Sequence, residues 1–263
     1  MSTKPPVGEM PISREETIRE LLRRSKRRRS VPLRRVFLQQ GTRSQPDPGP
    51  LAKLVANRDV TALDLYLLQR ALATAKPYDS RLEATVWARL LGLQSPAAAT
   101  VVSRAWSRLA AMRLIKRRRG GRLAITTSLL EDGSGKHYRP PGLAPGDNYL
   151  QLPLAYWLDG FDRRLTLRAK AMLLIGLSLQ DWSELPSEKV PKWYGISADT
   201  AERGLSELVD VGLLQRRVKY KRTPLVASGF TRTYQYMVAP SFRRARKLVV
   251  VVSGGLEAAG KAG

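Results

Sequence analysis

The sequence predicts a mainly α-helical chain carrying small β-hairpins, built as two similar units in tandem. Apolar residues recur at helical spacing along most of the chain. One pattern also occurs twice. Arg104-Ala105-Trp106-Ser107-Arg108-Leu109 precedes Leu114-Ile115-Lys116-Arg117-Arg118, and ninety-nine residues later Arg203-Gly204-Leu205-Ser206-Glu207-Leu208 precedes Leu213-Leu214-Gln215-Arg216-Arg217. Each copy reads as an amphipathic helix, a tight exit and a short apolar strand running into positive charge. With 263 residues, 43% of them hydrophobic, the chain has room for two small cores.

Residues 1–55 read as a basic arm and linker. Ser13 with Glu16 fits a capping box, and Ile18, Leu21 and Leu22 form a narrow apolar stripe. A short helix is expected from Arg14 to Arg29. Its end, with Arg27, Arg28 and Arg29, is expected to bind phosphate. The run from Gln45 to Pro50 is a linker on turn chemistry.

Residues 56–130 read as the first unit. Thr61 is the expected cap of a helix carrying Leu63, Tyr66, Leu67 and Leu72. A second helix is expected over Leu82–Leu91, ended by Gly92. A third is expected to start at Ser95-Pro96 and to bury Val102, Trp106, Leu109 and Met112. Leu114-Ile115 and Leu123-Ala124-Ile125 read as two strands joined through Arg119–Arg122. Residues 131–148 read as a Gly/Pro linker between independent domains.

Residues 149–240 read as the second unit. Thr166 caps a long helix through Met172, Leu173, Ile175 and Leu179, and a short helix ends at Lys192–Gly195. Ser197 caps the next helix, which buries Ala201, Leu205, Leu208 and Val209, and Gly212 ends it. Strands follow from Leu213 and over Thr231–Val238. Counted from Ser95 and from Ser197, the first of the paired helices is expected to be about a turn longer. Residues 241–263 read as a basic tail.

The net charge is +24 and the sequence pI about 11.0. Such an excess favours a polyanion: DNA, RNA or an anionic membrane surface. Cysteine is absent, which excludes disulfides and thiolate metal sites and fits a reducing cytoplasm. Met1–Arg29 lacks the apolar core of a signal peptide. The longest apolar stretch, Ala169–Leu179, is interrupted by Lys170 and falls short of the ~20 residues a spanning helix needs.

The stretch Gly195–Leu208 followed by Gly212-Leu213-Leu214 resembles the winged helix-turn-helix superfamily and is similar to bacterial regulators of the GntR and MarR kinds. In those families a Thr and an Arg near the start of the recognition helix touch DNA. The resemblance implies that role for Thr200 and Arg203. The first copy keeps the Arg as Arg104, has Val101 at the Thr position, and has Arg113 where the second has Gly212. The tandem arrangement also resembles plasmid replication initiators. No small-ligand domain of the GntR kind is visible.

An α-helix fits the major groove, where base edges carry a unique donor and acceptor pattern. The outward faces offer Thr100, Ser103, Arg104, Ser107 and Arg108 in the first unit, and Ser197, Asp199, Thr200, Arg203 and Ser206 in the second. The hairpins carry Arg117, Arg118, Arg119 and Arg122, and Arg216, Arg217, Lys219, Lys221 and Arg222. Positive charge on a hairpin is placed to track the phosphate backbone.

Catalytic chemistry is not expected. His137 is the single histidine and lies in the Gly/Pro segment, which excludes His-cluster metal sites and Ser-His or Cys-His pairs. Gly133-Ser134-Gly135-Lys136 lacks the first glycine of a phosphate loop, where Leu130 stands, and has His137 in place of the magnesium-binding hydroxyl. Trp106, Trp157, Trp182 and Trp193 are expected in cores.

The expected function is sequence-specific binding of double-stranded DNA without enzymatic activity, metal or cofactor, in the cytoplasm on the nucleoid. Transcription regulation leads, with host transcription or replication machinery as further partners and a monomer or homodimer as the assembly. The alternatives are a plasmid or phage replication initiator and a nucleoid or RNA-associated structural protein.

Overall fold

The computed structural model describes residues 12–25, 27, 29–42, 44–120 and 124–243. It opens with α1 (Arg14–Arg24), capped by Ser13, whose hydroxyl accepts from Glu16 N at 3.1 Å. Strand β1 (Ser30–Arg34), a 3₁₀ turn (Arg35–Phe37), the short strands β2 (Gln39–Gly41) and β3 (Pro46–Pro48), and α2 (Pro50–Ala56) follow.

The first repeated unit comprises α3 (Val60–Leu72), β4 (Asp79–Glu83), α4 (Ala84–Leu90), α5 (Ala98–Ala111), β5 (Ile115–Gly120) and β6 (Ala124–Leu129). After β7 (Tyr149–Pro153) and the single turns α6 (Ala155–Leu158) and α7 (Phe161–Arg164), the order returns: α8 (Leu167–Ser178), β8 (Ser183–Glu184), a 3₁₀ turn, α9 (Val190–Tyr194), α10 (Ala198–Asp210), β9 (Leu214–Arg222) and β10 (Phe230–Val238). A turn of helix, α11 (Pro240–Arg243), closes the described chain.

The expectation of a mainly α chain is overturned. The described residues are 45% helix and 23% strand, in four small antiparallel sheets, and the fold is mixed α/β. The added strands come from segments with no apolar period of their own. Asp79–Glu83, expected as loop and helix start, is extended because it adds to the hairpin edge, with Arg81 opposite Thr126 and Leu82 opposite Ile125. In the same way Glu184 pairs with Gln235. Both halves therefore carry a three-stranded sheet in which the early strand lies beside the last one, in the orders β4-β6-β5 and β8-β10-β9.

Several local expectations change for stated reasons. The cap of α3 is Asp59, whose carboxylate accepts from Ala62 N at 3.1 Å, so Thr61 lies inside the helix. Helix α5 starts at Ala98 with no side-chain cap, because Ser95 and Pro96 form the turn before it. With 14 and 13 residues, α5 and α10 are nearly equal, and the expected extra turn is absent. Ser197 and Thr166 do cap α10 and α8. Arg113 adopts φ 56° and Gly212 φ 74°, so both helices exit through a left-handed residue before the strand.

The N-terminal segment is folded into the body. Ile18, Leu21 and Leu22 are buried, and β1 pairs along its length with β7, Val31 opposite Leu152 and Leu33 opposite Leu150. The segment 131–148 is also packed rather than free. Tyr138 is buried edge-on to Tyr78 at 5.0 Å. Arg34 of β1 donates to Asp147 at 2.7 and 3.0 Å and to the Arg139 carbonyl at 2.8 Å. One continuous apolar core runs from Ile18 to Phe242 through both repeated units. The backbone polar groups of a Gly/Pro-rich segment need partners, and here a buried arginine supplies them.

Charged pairs join the halves. Lys170 of α8 donates to both carboxylate oxygens of Asp64 on α3 at 2.7 Å, and Arg14 of α1 pairs with Asp162 of α7. Burial pushes the Asp64 carboxyl up to about 6, with Lys170 opposing that rise. The folded protein holds that proton to a higher pH than the unfolded chain does, whose aspartates titrate near 3.8. Folding therefore takes up a proton between these values, and this contribution fades as pH rises through about 6.

Two outcomes follow for stability. Lys170→Met takes the paired cation from the part-buried Asp64 carboxylate and is expected to cost about 3 kcal/mol at pH 8, and less at pH 5 where the carboxyl is protonated. Urea unfolding at the two pH values reads this, and an equal cost at both would mean that the pair is not ionic. Arg113→Gly relieves a left-handed side-chain residue and is expected to stabilise by about 0.5–1 kcal/mol. A loss on thermal unfolding would show that the Arg113 side chain, which packs beside Gly135, matters more than its backbone.

Candidate nucleic-acid interface

Helix α5 is seated by its apolar face. Val102, Ala105, Trp106 and Leu109 are buried, and Trp106 meets Trp87 of α4 edge-on at 5.1 Å. The opposite face presents Thr100, Arg104, Ser107 and Arg108 to solvent, with Ser103 half-buried. The helix has two arginines and no acidic residue.

Part of that face is already engaged. Arg117 of β5 folds back over α5, donating to the Ser103 carbonyl at 3.1 Å, the Ser103 hydroxyl at 2.8 Å and the Ser107 hydroxyl at 2.9 Å. Arg108 forks onto Asp59, with the Nη2–Oδ1 bond at 2.8 Å. These five residues hold hairpin and helix to one another and to the start of α3. Thr100, Arg104 and Arg118 remain exposed on the helix and the strand beside it. The side chain of Arg119, and all of Arg122 and Arg28, lie outside the described residues.

Helix α10 packs closely on α8. Gly204 sits where a Cβ would lie 2.7 Å from the Arg168 carbonyl oxygen and 2.8 Å from Met172 Cγ, so the helix can dock here because this residue has no side chain. Its outward face carries Asp199, Arg203 and Ser206, with Thr200 half-buried. Arg203 pairs with Asp199 one turn away at 2.9 Å, and Ser197 and Thr200 bond each other at 2.8 Å. The helix contains Asp199, Glu202, Glu207 and Asp210 against a single arginine. Glu207 is used internally, accepting from Thr166 N at 2.7 Å. A helix with this balance repels phosphates near its surface.

The charge of the second unit lies on its hairpin. Between Leu214 and Val238 stand six basic residues and no acidic one. Arg217 lies over the Trp182 ring at 4.3 Å and donates to Gln235 at 2.8 Å, and Lys219 reaches Glu184 at 3.0 Å. Arg216 and Arg232 lie 5.0 and 5.1 Å from the Tyr234 ring. Lys221 and Arg222 are exposed toward the far end.

Arg27 is turned inward: it donates to the Ala71 and Arg70 carbonyls at 3.3 and 3.2 Å, closing the last turn of α3, and burial lowers its pKa. Arg29 is exposed. Trp106 and Trp157 are core residues, whereas Trp193 is half-buried and Trp182 serves as the platform for Arg217.

Sequence reasoning passed over Arg232, Tyr220 and Phe230. Their face of the ribbon depends on strand register, which the sequence does not declare. Among the described residues, no group of three or more His, Cys, Asp and Glu side chains could hold a metal, and no helix is long and apolar enough to cross a membrane. Comparison of the chain with protein-family models, with curated proteins and with solved structures found no match.

Arg108→Ala is expected to lower stability by about 1–2 kcal/mol, through loss of a charged partner to the Asp59 cap, while leaving any nucleic-acid affinity nearly unchanged. Chemical denaturation and a duplex titration check both halves of this outcome.

Proposed function

We propose that the protein binds double-stranded DNA through the exposed face of α5 and the two basic hairpins, as a regulator of transcription. The observation that carries this reading is the repeated order. Each half runs helix, strand, helix, helix, hairpin, with the early strand beside the last, and each hairpin is basic without an acidic residue. Three helices followed by a hairpin is the order read from the sequence for the winged helix-turn-helix resemblance, and the early strand is an addition to it. The charge sits where it can follow a phosphate backbone.

The two halves contribute differently. Arg104 and Thr100 on α5 are the side chains free to meet base edges in the first unit. In the second unit α10 is acidic, and the β9–β10 ribbon carries the binding through Lys221 and Arg222 toward its far end. The preferred site is accordingly asymmetric, with one half read by a helix and the other held by a ribbon.

Selection on random duplexes, followed by titration in salt, tests this. Log affinity should fall with log salt at a slope of about −0.9 per phosphate neutralised. Arg104→Ala is expected to cost about 1–3 kcal/mol on the selected site and to relax preference at one or two base pairs. Paired Lys221→Ala and Arg222→Ala should weaken all duplexes alike and reduce the slope by about two. A flat salt titration, or a selected motif untouched by Arg104→Ala, would overturn the reading.

A further inference from the structure

We infer that one face of the β9–β10 ribbon is a stacking platform for unpaired bases of single-stranded DNA, so that the protein favours a duplex beside a melted segment over an intact one. This rests on the DNA-binding reading above and adds a second kind of contact to it.

Strand register sorts the side chains. Tyr220 stands opposite Arg232, Arg222 opposite Phe230, and Val218 opposite Tyr234. Side chains alternate between the two faces of a strand, so these six share one face. The other face takes Arg217, Lys219 and Lys221, opposite Gln235, Thr233 and Thr231. One face is thus cationic and hydroxylated, suited to phosphates. The other interleaves rings with guanidinium groups.

The rings are open to solvent. Tyr220 is 67% exposed and Phe230 51%, and Val218 between them and the root is 45% exposed. From Gln215 to Arg222 not one residue of β9 is buried; the ribbon is anchored at Leu214 and Val238. At its tip Leu225 is fully exposed. Free-standing two-stranded ribbons are marginal in water, and apolar surface left in water costs about 25 cal/mol per Å².

The first hairpin supplies an internal control. From Ile115 to Leu129 it carries five basic residues, no acidic residue and no aromatic one. Phosphate contact accordingly explains the charge on both hairpins but not the rings on the second. Rings suit a partner that offers flat π-faces and negative charge together. Intact duplex hides its base faces in the stack and shows only edges, whereas unpaired bases present their faces to aromatic and arginine side chains without regard to sequence.

The position of Tyr234 fits the same partner. Arg216 and Arg232 lie near its ring at 5.0 and 5.1 Å, which fixes two guanidinium groups on this face beside the open rings. A strand lying across Tyr220 and Phe230 meets those cations with its phosphates.

The test uses the full chain and three fluorescent probes of equal duplex length: a blunt duplex, the same duplex with an unpaired run of eight thymines, and the same duplex with eight uridines of RNA. A 2-aminopurine placed in a fourth, thymine-tailed probe reports stacking directly. The thymine tail is expected to bind about tenfold tighter than the blunt duplex, the gain of one or two stacked bases, with quenching of the 2-aminopurine. Tyr220→Ala with Phe230→Ala should abolish both the gain and the quenching and leave blunt-duplex affinity within about twofold. Tyr220→Phe should retain both.

Blunt-duplex binding with no gain on the thymine tail overturns this inference and leaves the DNA-binding reading standing. Failure on every probe overturns both. A gain that survives the double substitution, or that appears on the uridine tail alone, also overturns it. So does a change of sedimenting mass on double substitution, which would make the face a contact between copies of the chain.

Discussion

Helix α3 is the element on which the rest of the structure depends, because it carries charged and polar side chains into the middle of the molecule. Asp64 is met by Lys170 of α8, and Arg70 donates to the Pro32 carbonyl of β1 at 2.7 Å. Tyr66 donates to Asp132 at 3.2 Å, and Gln69 bonds the Thr127 carbonyl of β6 at 3.0 Å. Each buried ion costs several kcal/mol unless its partner is in place. The partners come from the N-terminal segment, the first hairpin, residues 131–148 and the second unit. None of these can leave without orphaning a group on α3.

That constraint also fixes the interface. Asp59 caps α3 and holds Arg108 of α5, and Arg117 then ties β5 to α5. Helix, hairpin and core are one rigid connection in the first unit. The second unit anchors its helix differently, through the close approach of Gly204 to α8. Its ribbon extends outward, with only the ends of its strands buried. The same order of elements thus gives a helix tied to its hairpin in one half and a projecting ribbon in the other.

How much of this the sequence declared differs by element. Amphipathic helices announced themselves, and Ser13, Thr166 and Ser197 cap as read, because a cap is a local bond. The repeated helix and hairpin were legible from the constant offset. The strands β1, β4, β7 and β8 were not, since each is extended only because a distant edge receives it. The role of 131–148 was hidden for a related reason. Gly and Pro content signals turns, and nothing local shows that Arg34, a hundred residues earlier, will satisfy them. Among the site residues, Ser103, Ser107, Arg108 and Arg117 looked outward by periodicity and prove to be bonded to the protein itself. Helical phase gives the face of a residue but not what the next strand lays over it.

The acidic surface of α10 does not cancel the charge at the far end of the basic ribbon, and distance is the reason. Six residues of strand, about 20 Å, separate Arg222 from Arg216, whose cross-strand partner Tyr236 feels the charge of Glu202. At physiological salt the screening length is about 8 Å, and exposed charges separated by several such lengths scarcely interact. Near the root the acids do act, and there Arg216, Arg217 and Lys219 are already occupied by Tyr234, Trp182 and Glu184. The outer ribbon therefore keeps its positive potential while the helix beneath it repels phosphate. A polyanion approaching the second unit is directed to the outer ribbon, where Tyr220, Phe230 and Leu225 are exposed. This division of charge, rather than the mere excess of +24, makes the two halves of one repeated architecture unequal in what they can hold.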